Sequence, residues 1–148
     1  MKYSQKIVLK NGKEAYLRNG AASDGNAVLE NFNLAHAETD YLLSYPDENS
    51  FDSEEEGKFL QQKTDSMNEI EIIALVDGKV AGTAGIEAVG TKYKVRHRAE
   101  FGICVLREYW GLGIGRALTE ACIACAKEAG YIQLELDVVA ENTRAISL

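Results

Sequence analysis

R-E-Y-W-G-L-G-I-G-R-A-L, Arg107 to Leu118, is the stretch from which the rest of this chain is read. Gly111, Gly113 and Gly115 alternate through it. The run before it, F-G-I-C-V-L from Phe101 to Leu106, is apolar and suited to a strand. After it, Ile114, Ala117, Leu118, Ala121, Cys122 and Cys125 follow the spacing of one buried helix face. The order is strand, glycine loop, helix. Glycines let an anion approach the backbone closely, and a helix N-terminus adds N–H donors and partial positive charge. Residues 110 to 116 therefore read as a phosphate-binding loop. A tight turn that binds nothing would need fewer glycines. The dinucleotide fingerprint, G-x-G-x-x-G, has a different spacing, and the nucleotidase loop needs Gly-Lys-Ser/Thr where this chain has Gly115, Arg116 and Ala117.

The chain has 148 residues, enough for one domain with a real core. Its 46% hydrophobic and 26% charged residues are ordinary for a soluble globular protein. No apolar run approaches the roughly 20 residues of a membrane span. The N-terminal M-K-Y-S-Q-K-I-V-L-K lacks the long apolar core of a secretory signal. Three cysteines do not make a disulfide framework, and a reducing cytoplasm is the expected compartment. A net charge of −7 argues against a nucleic-acid partner and is compatible with a cationic substrate such as an amine.

Ile7 to Arg18 reads as a hairpin turning at Asn11-Gly12, a two-residue turn signal. Ser23 is placed to cap a helix through about Ala37, with Ala27, Val28, Phe32 and Ala35 near one face. Ser53 and Glu56 form a capping box that opens a second helix, through about Ser66. Glu54, Glu55 and Glu56 in its first turn suit the helix dipole. Ile70–Val76 and Val80–Val89 are strands joined at Asp77-Gly78. Then come the strand into the glycine loop, a helix ending at Gly130, a strand I-Q-L-E-L-D-V-V and the start of another helix. The order β-β-α-α-β-β-β-α-β-α predicts a mixed α/β sheet, mostly antiparallel and flanked by helices. A right-handed crossover makes its one parallel pair, within Glu100 to Val139.

A-E-F-G-I-C-V, Y-W-G-L-G-I-G-R-A-L and L-E-L-D-V-V-A-E-N-T-R-A-I-S-L together resemble the GNAT superfamily of N-acetyltransferases, from about Ala15 to Leu148. The family's Gln/Arg-x-x-Gly-x-Gly/Ala signature falls on Trp110, Gly113 and Gly115, with Trp110 departing from the usual Gln or Arg. The resemblance implies that acetyl-CoA lies where the strand ending near Leu106 and the strand ending near Val139 splay apart. Its pantetheine arm would pair with backbone groups of Ile103, Cys104 and Val105. Its pyrophosphate would rest on the N–H groups of Trp110, Gly111, Leu112, Gly113, Ile114, Gly115 and Arg116. Asn142, in an Asn-x-x-Ala pattern with Ala145, would bond the CoA arm. The Arg116 side chain is either a charge near the phosphates or a solvated helix residue. The family also places a tyrosine, more helix and two more strands after a sequence like N-T-R-A-I-S-L. On that pattern the 148-residue domain is expected to be C-terminally incomplete, with an open sheet edge that favours a homodimer.

Acetyl transfer to an amine needs the neutral amine, and deprotonating a lysine-like amine at pH 7 costs roughly 4.6 kcal/mol. Glu100 is the sequence's best candidate base, because GNAT enzymes often place a glutamate where this strand opens. By alternation it shares a face with Gly102 and Cys104. Glu71, Glu87 and Glu135 are lesser alternatives. A backbone N–H near Cys104 or Val105 would hold the oxyanion. Cys104 has no nearby histidine in sequence, which favours direct transfer over an acyl-enzyme. Cys122 and Cys125 fall on the apolar helix face, so core packing is preferred to a metal or redox pair, and His36 and His97 lack metal-ligand spacing. The expected activity is acetyl-CoA-dependent N-acetylation of a primary amine, small-molecule or protein, without metal, membrane or nucleic acid. Tyr41, Tyr45 and Phe51 are candidate walls of the acceptor pocket. The competing readings are a catalytically inactive CoA-binding sensor and a nucleotide-binding α/β domain.

Overall fold

A computed structural model of the chain describes residues 1–38, 52–90 and 96–136. Among these residues, six strands form one sheet in chain order. They are β1 (Ser4–Val8), β2 (Glu14–Asn19), β3 (Ile70–Val76), β4 (Lys79–Ala88), β5 (Arg98–Val105) and β6 (Gln133–Glu135). All neighbours are antiparallel except β5 and β6, which run parallel with Arg98 opposite Gln133 and Glu100 opposite Glu135. The helices are α1 (Gly25–Glu38), α2 (Ser53–Asp65) and α3 (Ile114–Ala129). This is the mixed, mostly antiparallel architecture with one parallel pair that the sequence predicts.

The sheet separates two apolar layers. On one side Ile70, Ile72, Ala84, Ile86 and Phe101 pack with Ile114, Leu118, Ala121, Cys122 and Cys125 of α3. On the other, Ile73 and Val80 pack with Val28 of α1 and Leu60 of α2. Both α3 cysteines are buried, as core packing requires. Gly130, at φ +87°, ends α3 in the left-handed conformation expected of a helix-stopping glycine.

A β-bulge sets the sidedness of β4. Leu75 pairs with Val80, but Ala74 pairs with Gly82, so Ala81 is extra. The bulge turns Ala84 and Ile86 toward α3 and leaves Thr83 and Gly85 on the face of Ile73 and Glu71.

Four local expectations are corrected. The Asp77-Gly78 hairpin is a two-residue turn, with both residues at positive φ, but Asn11-Gly12 is not: Val8 pairs with Glu14 across a longer loop closed by Leu9 N–H to Lys13 O at 2.8 Å. Leu9 is buried there, and drawing it into the core widens the loop. A short 3-10 turn, Ala22–Asp24, leads into α1, and the side chain that braces it is Asp24 rather than Ser23. Its carboxylate accepts from Ala21 N–H at 2.8 Å and takes both guanidinium nitrogens of Arg18, an ionised acceptor that a serine hydroxyl cannot match. At α2 the cap is Asp52, one residue earlier than expected, accepting from Glu55 N–H at 2.8 Å. Ser53 instead donates to Asn26 across the helix pair. Finally, the buried face of α1 is Val28, Asn31, Ala35 and His36, with Ala27 exposed and Phe32 half-buried. Asn31 reaches the carbonyl of Val80 at 3.0 Å, and this rotates the stripe.

Candidate active site

The glycine loop leaves β5 through a short helical turn, Arg107–Tyr109, and enters α3 at Ile114. Gly111 and Gly113 lie at φ +78° and +100°, where side chains are strained, whereas Gly115 is within the first turn of α3. No side chain caps Gly113, and the first helix bond is Ala117 N–H to Gly113 O. The N–H groups of Ile114, Gly115 and Arg116 precede that bond and therefore lack an intrahelical acceptor. A Cβ on Gly113 would meet nothing within 4 Å, so the space before the helix is open. Donors, helix dipole and open space together fit a diphosphate.

Four hydrogen bonds brace this loop. The Trp110 indole Nε1 donates to Val105 O at 2.7 Å, with the Arg107 guanidinium 5.7 Å from its ring centroid. Lys10 N–H, from the β1–β2 loop, donates to Leu112 O. Glu38, ending α1, accepts from Arg107 N–H at 3.0 Å while its own carbonyl accepts from the Arg107 guanidinium.

Strand β5 lies beside the loop. Leu106 N–H bonds Ala81 O and Arg98 O accepts from Val89 N–H, so even-numbered residues turn their backbone groups to β4. His97 O accepts from Ile132 and Gln133, so odd-numbered residues turn theirs to the outer edge. Ile103 and Val105 thus present N–H and C=O outward, whereas those of Cys104 face β4. Among the described residues, β6 covers this edge only at Arg98–Glu100.

The face of β5 toward α1 and α2 carries Glu100, Gly102 and Cys104. Glu100 is exposed and lies opposite Glu87. Gly102 lies opposite Gly85, which lies opposite Glu71, and Cys104 lies opposite Thr83. A Cβ on Gly85 would sit 1.9 Å from Glu71 Oε2, so the Glu71 carboxylate occupies the space above Gly85. Burial pushes this carboxyl up to about 7; Lys63 and a hydrogen bond from Thr83 oppose the rise, and Glu56 and Glu87 add to it. Lys63 is itself buried, with Nζ 3.5 Å from Glu69 and 3.7 Å from Glu87. Burial, helped by Glu38 and Glu71, raises the Cys104 thiol to about 11. Among the described residues no group of three or more His, Cys, Asp or Glu is arranged to hold a metal.

The sequence matches the model of the acetyltransferase (GNAT) family over residues 34–148. The chain belongs to the GNAT family. An acetyltransferase of that family from Streptococcus pneumoniae is 30% identical, with a TM-score of 0.84 over 90% of this chain and 80% of that one. Ribosomal-protein-alanine N-acetyltransferase from Brucella melitensis is 25% identical, with a TM-score of 0.76 over 88% of this chain and 78% of that one. The GNAT phosphinothricin acetyltransferase from Sinorhizobium meliloti, solved with acetyl-CoA, shares the fold at 22% identity, with a TM-score of 0.75 over 90% of this chain and 70% of that one.

As a GNAT acetyltransferase, the protein is an enzyme that takes its acetyl group from acetyl-CoA. Of the residues singled out in sequence, Ile103, Cys104 and Val105 lie on one strand, and Trp110 to Arg116 form the loop and helix start directly after it. Glu100 is on the same strand but at its far end. Asn142, Val139, Ala145, Tyr41, Tyr45 and Phe51 lie outside the described residues. Sequence reading passed over the nesting of Glu71 on Gly85. The Asp77-Gly78 turn alone, counted outward, would set Glu71 opposite Ala84, and the bulge moves it to Gly85.

Proposed function

We propose that this enzyme transfers acetyl from acetyl-CoA directly to a primary amine, with the pyrophosphate on Trp110–Arg116 and the pantetheine arm along the outer edge of Ile103–Val105. The carrying observation is one strand with two uses. Among the described residues the outer edge of β5 past Glu100 has no strand partner and leads into the glycine loop, while its helix-side face adjoins the carboxylates Glu71, Glu87 and Glu100, which suit a cationic acceptor. Val105 N–H, on the open edge, is the oxyanion donor in this reading. Glu100, at the rim, meets the incoming ammonium. The raised Cys104 thiol is a poor nucleophile at neutral pH, which supports direct transfer.

The acceptor belongs to the class of primary amines, on a small molecule or a protein. The relatives' names include one of each, phosphinothricin and a ribosomal protein's alanine. Three unpaired cysteines suit a reducing cytoplasm. The test combines calorimetric CoA binding with thiol release over a panel of primary amines. Both are expected; binding without turnover on any amine would leave a CoA-binding sensor. Mass spectrometry after incubation with acetyl-CoA alone should find no acetyl-thioester on Cys104.

A further inference from the structure

The row Glu71–Gly85–Gly102 crosses three strands on the helix side of the sheet. Two of its three positions have no side chain. Gly102 is exposed, and a Cβ there would meet nothing within 4 Å. Among the described residues, the row therefore carries one carboxylate, lying over Gly85, with open space over Gly102 beside it. Thr83, the residue opposite Cys104, is among the groups that act on that carboxylate. The Glu71 carboxylate lies over Gly85, one strand across and two residues along from Cys104, about 8 Å away by strand geometry, whereas Glu100 is about 13 Å away along β5. Glu71 therefore reaches closer than Glu100 to Cys104 and Val105, beside which the acetyl group lies in the reading above.

We propose that Glu71 is the catalytic base, its carboxylate taking a proton from the acceptor ammonium over the row of Gly85 and Gly102, directly or through one water. This rests on the acetyl-transfer reading of the site. Glu71 accepts one proton from R–NH₃⁺. The nitrogen lone pair forms the C–N bond to the acetyl carbonyl carbon, and the C–S bond breaks with its electron pair leaving on sulfur. The second nitrogen proton goes to the thiolate, and Glu71 returns the first to solvent. The products are the amide, CoA thiol and one proton.

The surroundings keep Glu71 available for this. Lys63, the buried cation of α2, is held between Glu69 and Glu87. The other titratable groups described on this face are Glu56 of α2, Glu87 of β4, Glu38 and His36 of α1, Cys104 and Glu100 of β5, and the Arg18–Asp24 ion pair. Burial together with the charges of Glu56 and Glu87 favours the protonated carboxyl, and Lys63 opposes them.

The experiment is the pH profile of kcat/KM on the whole chain. The acceptor is the best of a diamine, a lysine-containing peptide and a peptide with a free α-amino group. Wild type should lose activity as pH falls below about 7. Glu71→Gln should lower kcat by about 10²-fold or more and remove that acidic limb, with calorimetric CoA affinity unchanged. Gly85→Ala, which displaces the carboxylate without altering its chemistry, should act in the same direction. Glu100→Gln should keep the limb. If Glu71→Gln stays within threefold of an active wild type, or if Glu100→Gln is the variant that loses the limb, Glu71 is not the base. A wild type that binds CoA and acetylates none of the amines overturns the acetyl-transfer reading, and the base with it.

Discussion

The indole of Trp110 donates to the carbonyl of Val105 at 2.7 Å and so ties the glycine loop back to the last residue of β5. Trp110 stands where the family signature usually carries Gln or Arg. Its side chain sets the angle at which the loop leaves the strand. Trp110→Phe keeps the ring and removes the donor. We expect CoA affinity to fall about two- to tenfold by calorimetry, the worth of one hydrogen bond. An unchanged Kd would return the role of this residue to its backbone alone.

Gly113 and Gly115 separate conformational from steric demands. Gly113, at φ +100°, has open space around its missing Cβ. Gly113→Val should cost about 1–3 kcal/mol of stability and should also weaken CoA binding. Gly115 is inside the helix, so Gly115→Val should hardly change the unfolding midpoint. It should still weaken CoA binding by placing a branched side chain at the diphosphate. If both variants bound CoA normally, the cradle assignment would fall.

Glu71 makes stability depend on pH in a direction opposite to an ordinary paired carboxylate. Its folded pKa, about 7, is raised above the unfolded value, so its contribution is complete below the ordinary glutamate range and is lost as pH rises through about 7. Urea midpoints at about pH 5 and about pH 8 should therefore differ more in wild type than in Glu71→Gln. Above neutrality the variant should be the more stable protein. Parallel slopes in the two proteins would show that Glu71 titrates normally.

Asp24 works the other way. The Arg18 guanidinium beside it, together with Ala21 N–H, holds its carboxyl below the usual range, so its contribution is present at neutral pH and fades as pH falls through the lowered value. Asp24→Ala removes a two-point ion pair and the cap of the turn into α1, and should destabilise by about 1–3 kcal/mol at neutral pH in urea unfolding. A midpoint equal to wild type would mean that α1 is positioned by its packing on α2 alone.

Much of the architecture was legible because it follows from local patterns. The 3, 4, 7 spacing from Ile114 to Cys125 is a helix face wherever it occurs, and glycines before it mark a loop. The pattern also assigned Cys122 and Cys125 to the core, where both are found. Capping was less legible. Asp24 and Ser23 are neighbours, as are Asp52 and Ser53. The choice between them went to the carboxylates, which found a guanidinium or a backbone N–H in three dimensions.

The sequence by itself determined the order of the described elements, the alternation that puts Glu100, Gly102 and Cys104 on one face of β5, and the glycine loop before α3; the helix expected after β6 lies outside the described residues. These depend on residues close in the chain. Register across the sheet depends on the tertiary structure. One extra residue at Ala81 shifts the β3–β4 pairing and brings Glu71 opposite Gly85 instead of Ala84. A bulge forms where packing on both faces demands it: here Val80 packs with Ile73 on the α1–α2 side while Ala81, Ala84 and Ile86 pack on the α3 side. No window of sequence contains both layers, so only the folded sheet could lay a carboxylate over Gly85.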